Sequence, residues 1–146
     1  MFSVDDRSFF LGLFTLMLVG CSGGEPQGGP RFETNAVTGI VHIDGQPADL
    51  VEVTCYPAAD STSIKYPLST MTSADGAFSL TTYESGDGLP DGTYTLTFKW
   101  MEPALVPKDK LKGAYADPSK STHKITVLKG QETVIGTIEL SSKPAR

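Results

Sequence analysis

The sequence predicts an all-β fold, a two-sheet antiparallel sandwich of seven short strands, and three observations predict it. Apolar residues between Asn35 and Leu140 recur at every second position, the period of a strand with one buried face. The runs are cut by Gly, Pro and Asp at short, regular intervals. No stretch of this region repeats its apolar residues at helical spacing. Seven strands in about 105 residues are what two packed sheets require, and a domain of that size buries roughly 65% of its unfolded surface without covalent staples.

The first strand is expected over Val37-Thr38-Gly39-Ile40-Val41-His42-Ile43, with Val37, Gly39, Val41 and Ile43 inward. Val51, Val53 and Cys55 give the next, after an Asp44-Gly45-Gln46-Pro47 turn. His42, Glu52 and Thr54 then face outward. Leu68 to Ser73 and Ala77 to Thr82 flank Asp75-Gly76, a dipeptide that tolerates positive φ and suits a tight hairpin. Tyr94, Leu96, Phe98 and Trp100 alternate with Thr93, Thr95, Thr97 and Lys99, the cleanest period of two in the chain, which places this strand at the centre of the core. About twenty residues containing Pro103, Pro107 and Pro118 follow, well beyond the usual connection of about 4 to 6. The last pair, Thr122 to Leu128 and Glu132 to Leu140, is expected to close around Lys129-Gly130-Gln131.

Ahead of the strands the chain has another character. Phe9 to Val19 is an apolar run of eleven residues, about half the length needed to cross a bilayer. It ends in Leu18-Val19-Gly20-Cys21, where small Gly20 admits a peptidase to the bond before Cys21, and Ser22-Gly23-Gly24 beyond it is polar. The expectation is a cleaved lipoprotein signal, with lipid carried on Cys21. Asp5 and Asp6 beside Arg7 make the start less basic than such signals usually are. Several acyl chains, at about 0.8 kcal/mol per buried CH₂, hold a domain at a membrane where one chain does not. Ser22 to Phe32 has no hydrophobic period and reads as a tether, reaching roughly 18 Å. The expected organisation is residues 1–20 signal, 21–34 lipidated cysteine and linker, 35–141 sandwich and 142–146 tail.

The chain carries a net charge of −5, and removal of residues 1–20 leaves fifteen acids and eleven bases. Its lysines are scattered among acids, so no basic stripe is available to release counterions from nucleic acid. With Cys21 lipidated, Cys55 has no intramolecular partner, and its place beside Val51 and Val53 makes it a small buried hydrophobe.

The pieces Val37-Thr38-Gly39-Ile40-Val41 before Asp44-Gly45-Gln46-Pro47, Val51-Glu52-Val53 before Tyr56-Pro57, and Thr72 to Leu80 across Asp75-Gly76 come in a distinctive order. They are followed by Thr82 to Gly88, Leu89-Pro90-Asp91-Gly92-Thr93-Tyr94, and Tyr115-Ala116-Asp117-Pro118 with Ser121. Together they resemble the carboxypeptidase regulatory-like, or transthyretin-like, domains of small bacterial lipoproteins. The resemblance implies a prealbumin-like Greek-key sandwich with no family-wide catalysis.

Several constellations invite chemistry. The Asp-Gly pairs at 44, 75, 87 and 91 suggest calcium, yet only Glu84, Asp87 and Asp91 share one loop, and turn chemistry accounts for the pairs. No metal or other cofactor is expected. His42 and His123 suggest a hydroxyisourate hydrolase-like enzyme. The arginines after the signal are Arg31 and Arg146, both near an end, so the cation that would stabilise an oxyanion is missing. Asn35, the sole asparagine, lies at the start of the domain and not on the last strand, where an internal Lys–Asn bond would need it. No serine sits in a strand-turn-helix elbow. Trp100 and Tyr115, on the strand and long loop between them, form the candidate contact surface. The expectation is a non-catalytic, lipid-anchored envelope module contacting a membrane through Cys21 and an envelope protein or glycan, at the cell membrane or outer membrane. An envelope solute- or carbohydrate-binding lipoprotein is the other reading carried forward.

Overall fold

The computed structural model describes residues 29–61 and 63–143. The expected signal, the cleavage site at Gly20 and Cys21, residues 21–28 of the linker and residues 144–146 lie outside them. Among the described residues there are eight strands and no helix: β1 (Val37–Ile43), β2 (Gln46–Pro47), β3 (Val51–Pro57), β4 (Leu68–Met71), β5 (Ala77–Ser79), β6 (Gly92–Trp100), β7 (Lys124–Val127) and β8 (Thr133–Leu140). All seven expected strands are present. The eighth, β2, is two residues folded back on β1 through Asp44 and Gly45, both at positive φ.

The strands form two four-stranded sheets. In one, β8 pairs along the whole of β1. A strand has two edges, so β5 and β2 share the other edge of β1 in succession. The second sheet runs β4-β3-β6-β7, with β6 inside it, as its alternation predicts. Val37, Val41, Ile43, Phe78, Ile138 and Leu140 of the first sheet meet Val51, Val53, Cys55, Tyr94, Leu96, Phe98 and Val127 of the second in one buried core. Gly39 faces that core because Phe78 occupies the space above it: a Cβ there would stand 2.6 Å from the ring.

Three features differ from expectation. The turns at 74–76 and 129–131 do not close hairpins. β4 belongs to the second sheet and β5 to the first, and β7 and β8 divide in the same way. The turn chemistry is as read, with Gly76 N–H on Ser73 O at 2.8 Å and Asp75 Oδ1 accepting from Ser73 Oγ at 2.6 Å. Each turn serves as a corner between the sheets. Secondly, β8 runs parallel to β1 while the other five pairings are antiparallel. The seven main strands alternate in direction along the chain, so the first and seventh point the same way and can only lie parallel as neighbours. Thirdly, Thr54 and Thr97, expected on the outer face, are buried. They are cross-strand partners, and the Thr54 hydroxyl is bonded to Ser69 Oγ at 2.8 Å.

Candidate functional site

The site with most to explain lies where β6 leaves the sheet. Trp100 ends that strand half-buried against the core. Its backbone pairing then continues into the long connection. Lys110 N donates to Trp100 O at 2.8 Å and Glu102 N to Lys108 O at 2.9 Å, and Met101 bridges Asp109. These contacts make residues 100–110 a small hairpin with Pro103–Pro107 as its tip. The long connection is thus held at both ends of its base.

Asp109 holds the base. Its Oδ1 accepts from Trp100 N and Leu111 N, both at 2.9 Å, and its Oδ2 from Gly113 N at 2.8 Å. A charged acceptor on three backbone donors is stronger than neutral pairs, and it turns the chain so that Leu111 enters the core. The chain then comes back along the edge of β6 that β7 is too short to cover. Tyr115 O accepts from Phe98 N at 3.0 Å and His123 O from Leu96 N at 2.8 Å, which pairs an edge otherwise open to other chains.

The two residues of the candidate contact surface have partners of their own. Trp100 Nε1 donates to Asp49 O at 3.1 Å, and Lys110 Nζ stands 3.3 Å from the centroid of the indole ring. This cation–π contact covers one face of the ring. Tyr115 packs on the core, and its hydroxyl accepts from Ser141 N at 3.0 Å, fastening the chain just after β8. The side chains in the open are Leu105 and Val106, between the prolines. They were missed in the sequence because the region reads as prolines and lysines; the available signal is an adjacent apolar pair inside that polar segment.

The other chemistry-bearing residues are dispersed. His42 lies on β1 and His123 just before β7, in opposite sheets. His42 Nδ1 meets Glu139 Oε1 at 2.9 Å. The His123 ring stands edge-on to Phe98, with centroids 5.2 Å apart, and burial holds its pKa below the ordinary histidine value. The carboxylate of Asp87 accepts from the amides of Thr82, Tyr83 and Glu84 at 2.7 to 3.1 Å, the work of a turn. Among the described residues no three His, Cys, Asp or Glu side chains gather as metal ligands. Cys55 is fully buried, and burial pushes its thiol up to about 11, the character of the small hydrophobe expected there.

Among the described residues, shallow clefts open on the surface. One, of about 310 Å³, lies between the free edges of β4 and β5 and is lined by Thr70, Met71, Ser73, Phe78, Ser79 and Thr81 among others. Another, of about 140 Å³, lies among Tyr115, Asp117, Lys120, Ser121 and His123. In the latter Ser121 Oγ donates to Leu96 O at 2.5 Å, so the hydroxyl is already spent on holding the strand edge.

No protein-family model matches this chain, and no curated protein matches it. Solved structures are similar to it, among them these three. The 5-hydroxyisourate hydrolase of Klebsiella pneumoniae is 17% identical, with 75% of this chain and 92% of that one covered and a TM-score of 0.41. The dioxygenase domain of a dioxygenase–carbohydrate-binding fusion from Streptomyces sp. SirexAA-E is 18% identical, with 75% and 82% covered and a TM-score of 0.40. A 9R-lipoxygenase from Cyanothece PCC8801 is 14% identical over 74% of this chain, with a TM-score of 0.39, and this chain spans 16% of its length. Identities and scores at this level assign this chain no activity.

Proposed function

We propose that this protein is a lipid-anchored module of the bacterial cell envelope, whose β-sandwich has a structural or interaction role and no catalytic one. The observation that carries the reading is the eleven-residue apolar run closing on Leu18-Val19-Gly20-Cys21, too short to span and correctly ended for processing and lipidation. Cys55, the other cysteine, is sealed in the core with a thiol that resists ionisation, which leaves Cys21 as the thiol open to modification. Cys21 is followed by Ser22 and not by aspartate, the inner-membrane retention cue of lipoproteins in two-membraned bacteria, so we place the module at the outer membrane, facing periplasm or exterior.

A non-catalytic role is supported by how the polar groups are used. Asp44 takes the amide and hydroxyl of Ser142, Asp75 the hydroxyl of Ser73, Asp117 those of Ser119, and Asp87 and Asp109 cap turns. Carboxylates committed to backbone and serine donors are poor general bases. The two histidines lie in separate sheets, and neither touches the other's surroundings. The order of turn and strand motifs supports placing the sandwich with the transthyretin-like domains, and a protein or glycan of the envelope is the partner class we assign to it.

Replacing Cys21 by serine in the producing cell tests the reading. Expected are loss of incorporated alkyne-palmitate and a move of the protein from the membrane fraction to the soluble one on washing with high salt, which releases peripheral electrostatic contacts but not acyl anchors. Membrane retention equal to that of the unmodified chain, with neither form taking up the label, overturns it.

A further inference from the structure

We propose that the tip of the 100–110 hairpin is a membrane contact in its own right, inserting Leu105 and Val106 at the headgroup–acyl boundary of an anionic bilayer. Among the described residues Leu105 is 101% exposed and Val106 70%, a value that Val134 on β8 also reaches, but Leu105 and Val106 are adjacent in the chain. Exposed single leucines are ordinary; a pair held out on a clamped hairpin is not. Two backbone hydrogen bonds, the Met101–Asp109 bridge and the three amides on Asp109 fix the base, and Pro103 and Pro107 restrict φ on either side of the tip. The ordering that a flexible loop would undergo on binding is already complete.

Charge selects the partner. The chain as a whole is acidic, at −5, while Lys99, Lys108, Lys110 and Lys112 crowd this segment against Glu102 and Asp109. Asp109 turns its oxygens inward to backbone amides, and Lys110 is engaged by Trp100. Lys108 adjoins the tip, and neither it nor Lys112 forms an ion pair among the described residues. An apolar pair with the unpaired Lys108 beside it in the chain matches a surface that offers acyl chains beneath phosphates.

The hairpin leaves one end of β6, and the N-terminal segment enters at the other, where Asn35 bridges Leu89 beside Gly92. Nine residues at about 3.3 Å each separate the two by roughly 30 Å. The contact does not depend on lipidation of Cys21, so each can fail without the other.

The test uses the full chain with Cys21→Ser and Leu105→Cys, labelled with a polarity-sensitive dye; buried Cys55 does not compete. Vesicles containing phosphatidylglycerol are expected to brighten and blue-shift the dye, pure phosphatidylcholine vesicles to leave it unchanged, and a label at Asp60→Cys to respond to neither. Lys108→Gln with Lys112→Gln is expected to weaken anionic binding about 30-fold. A dye at position 105 that stays in water with both vesicles overturns the proposal. Equal shifts on both overturn it too, because the lysines would then select nothing, as does a shift that follows protein concentration without vesicles, the mark of a second copy as the occupant.

Discussion

The hydroxyl of Thr72 is buried and takes part in two hydrogen bonds, accepting from Val51 N at 2.9 Å and donating to Ala48 O at 2.6 Å. Ala48 lies between β2 and β3 and Val51 opens β3, so one oxygen ties the chain leaving β4 to the chain entering β3. Thr72→Val keeps the shape and strands a buried donor and acceptor, which costs about 1–3 kcal/mol for each group left unsatisfied. Chemical denaturation should show Thr72→Ser close to the parent and Thr72→Val well below it. Gly88 works by close approach: at φ +87 its missing Cβ would lie 1.8 Å from Asn35 O, within the bridge that starts the domain. Gly88→Ala should cost more than about 4 kcal/mol and abolish a cooperative melt. Gly45→Ala, also at positive φ but with open space around it, should cost only about 1–2 kcal/mol. The glycines were legible as turn signals, but which of them backs onto another segment was not, because that depends on contacts distant in sequence.

The strands themselves could be read from the sequence because a period of two records burial on one face, and the alternation from Tyr94 to Trp100 is undiluted. Their partners could not. Asp75-Gly76 and Lys129-Gly130 carry the φ preferences of a reversal, and a reversal at a corner between sheets needs the same preferences as one in a hairpin. The 100–110 hairpin escaped notice for the opposite reason, since its short arms have no alternation and it is held by one carboxylate. That dependence can be measured. Asp109→Asn replaces an acceptor oxygen by an NH₂ that cannot satisfy three backbone donors, at about 1–3 kcal/mol. Hydrogen exchange should speed up at the Trp100, Leu111 and Gly113 amides, while amides of β1 and β3 keep most of their protection, because the element opens locally before the sandwich does. Uniform acceleration across both sheets would show that the hairpin base belongs to the global unit.

For the whole molecule, pH reports on contacts that fasten each sheet's edges and ends. His123 packs against Phe98 on β6, and burial lowers its pKa from 6.5, so the folded state resists taking its proton while the unfolded chain does not. The sign follows directly: stability is undiminished above about 6.5, falls as pH drops through that value, and levels off below the folded pKa. A second loss is set in more acid solution by Asp44, Asp75 and Asp117, each lowered from 3.8, first by a serine side-chain hydrogen bond and then by a backbone one. Their contribution is present above 3.8 and disappears as pH falls through their folded values. Asp44 matters most for the fold because its partner is Ser142, 98 positions along the chain, so its protonation loosens the end of β8 from the first turn. Thermal melts from pH 8 to pH 2 should therefore show two descending steps, with His123→Gln removing the one near neutrality and Asp44→Asn reducing the acid one. A His123→Gln melt that keeps the upper step intact would place that proton on another group and leave the Phe98 contact as packing alone.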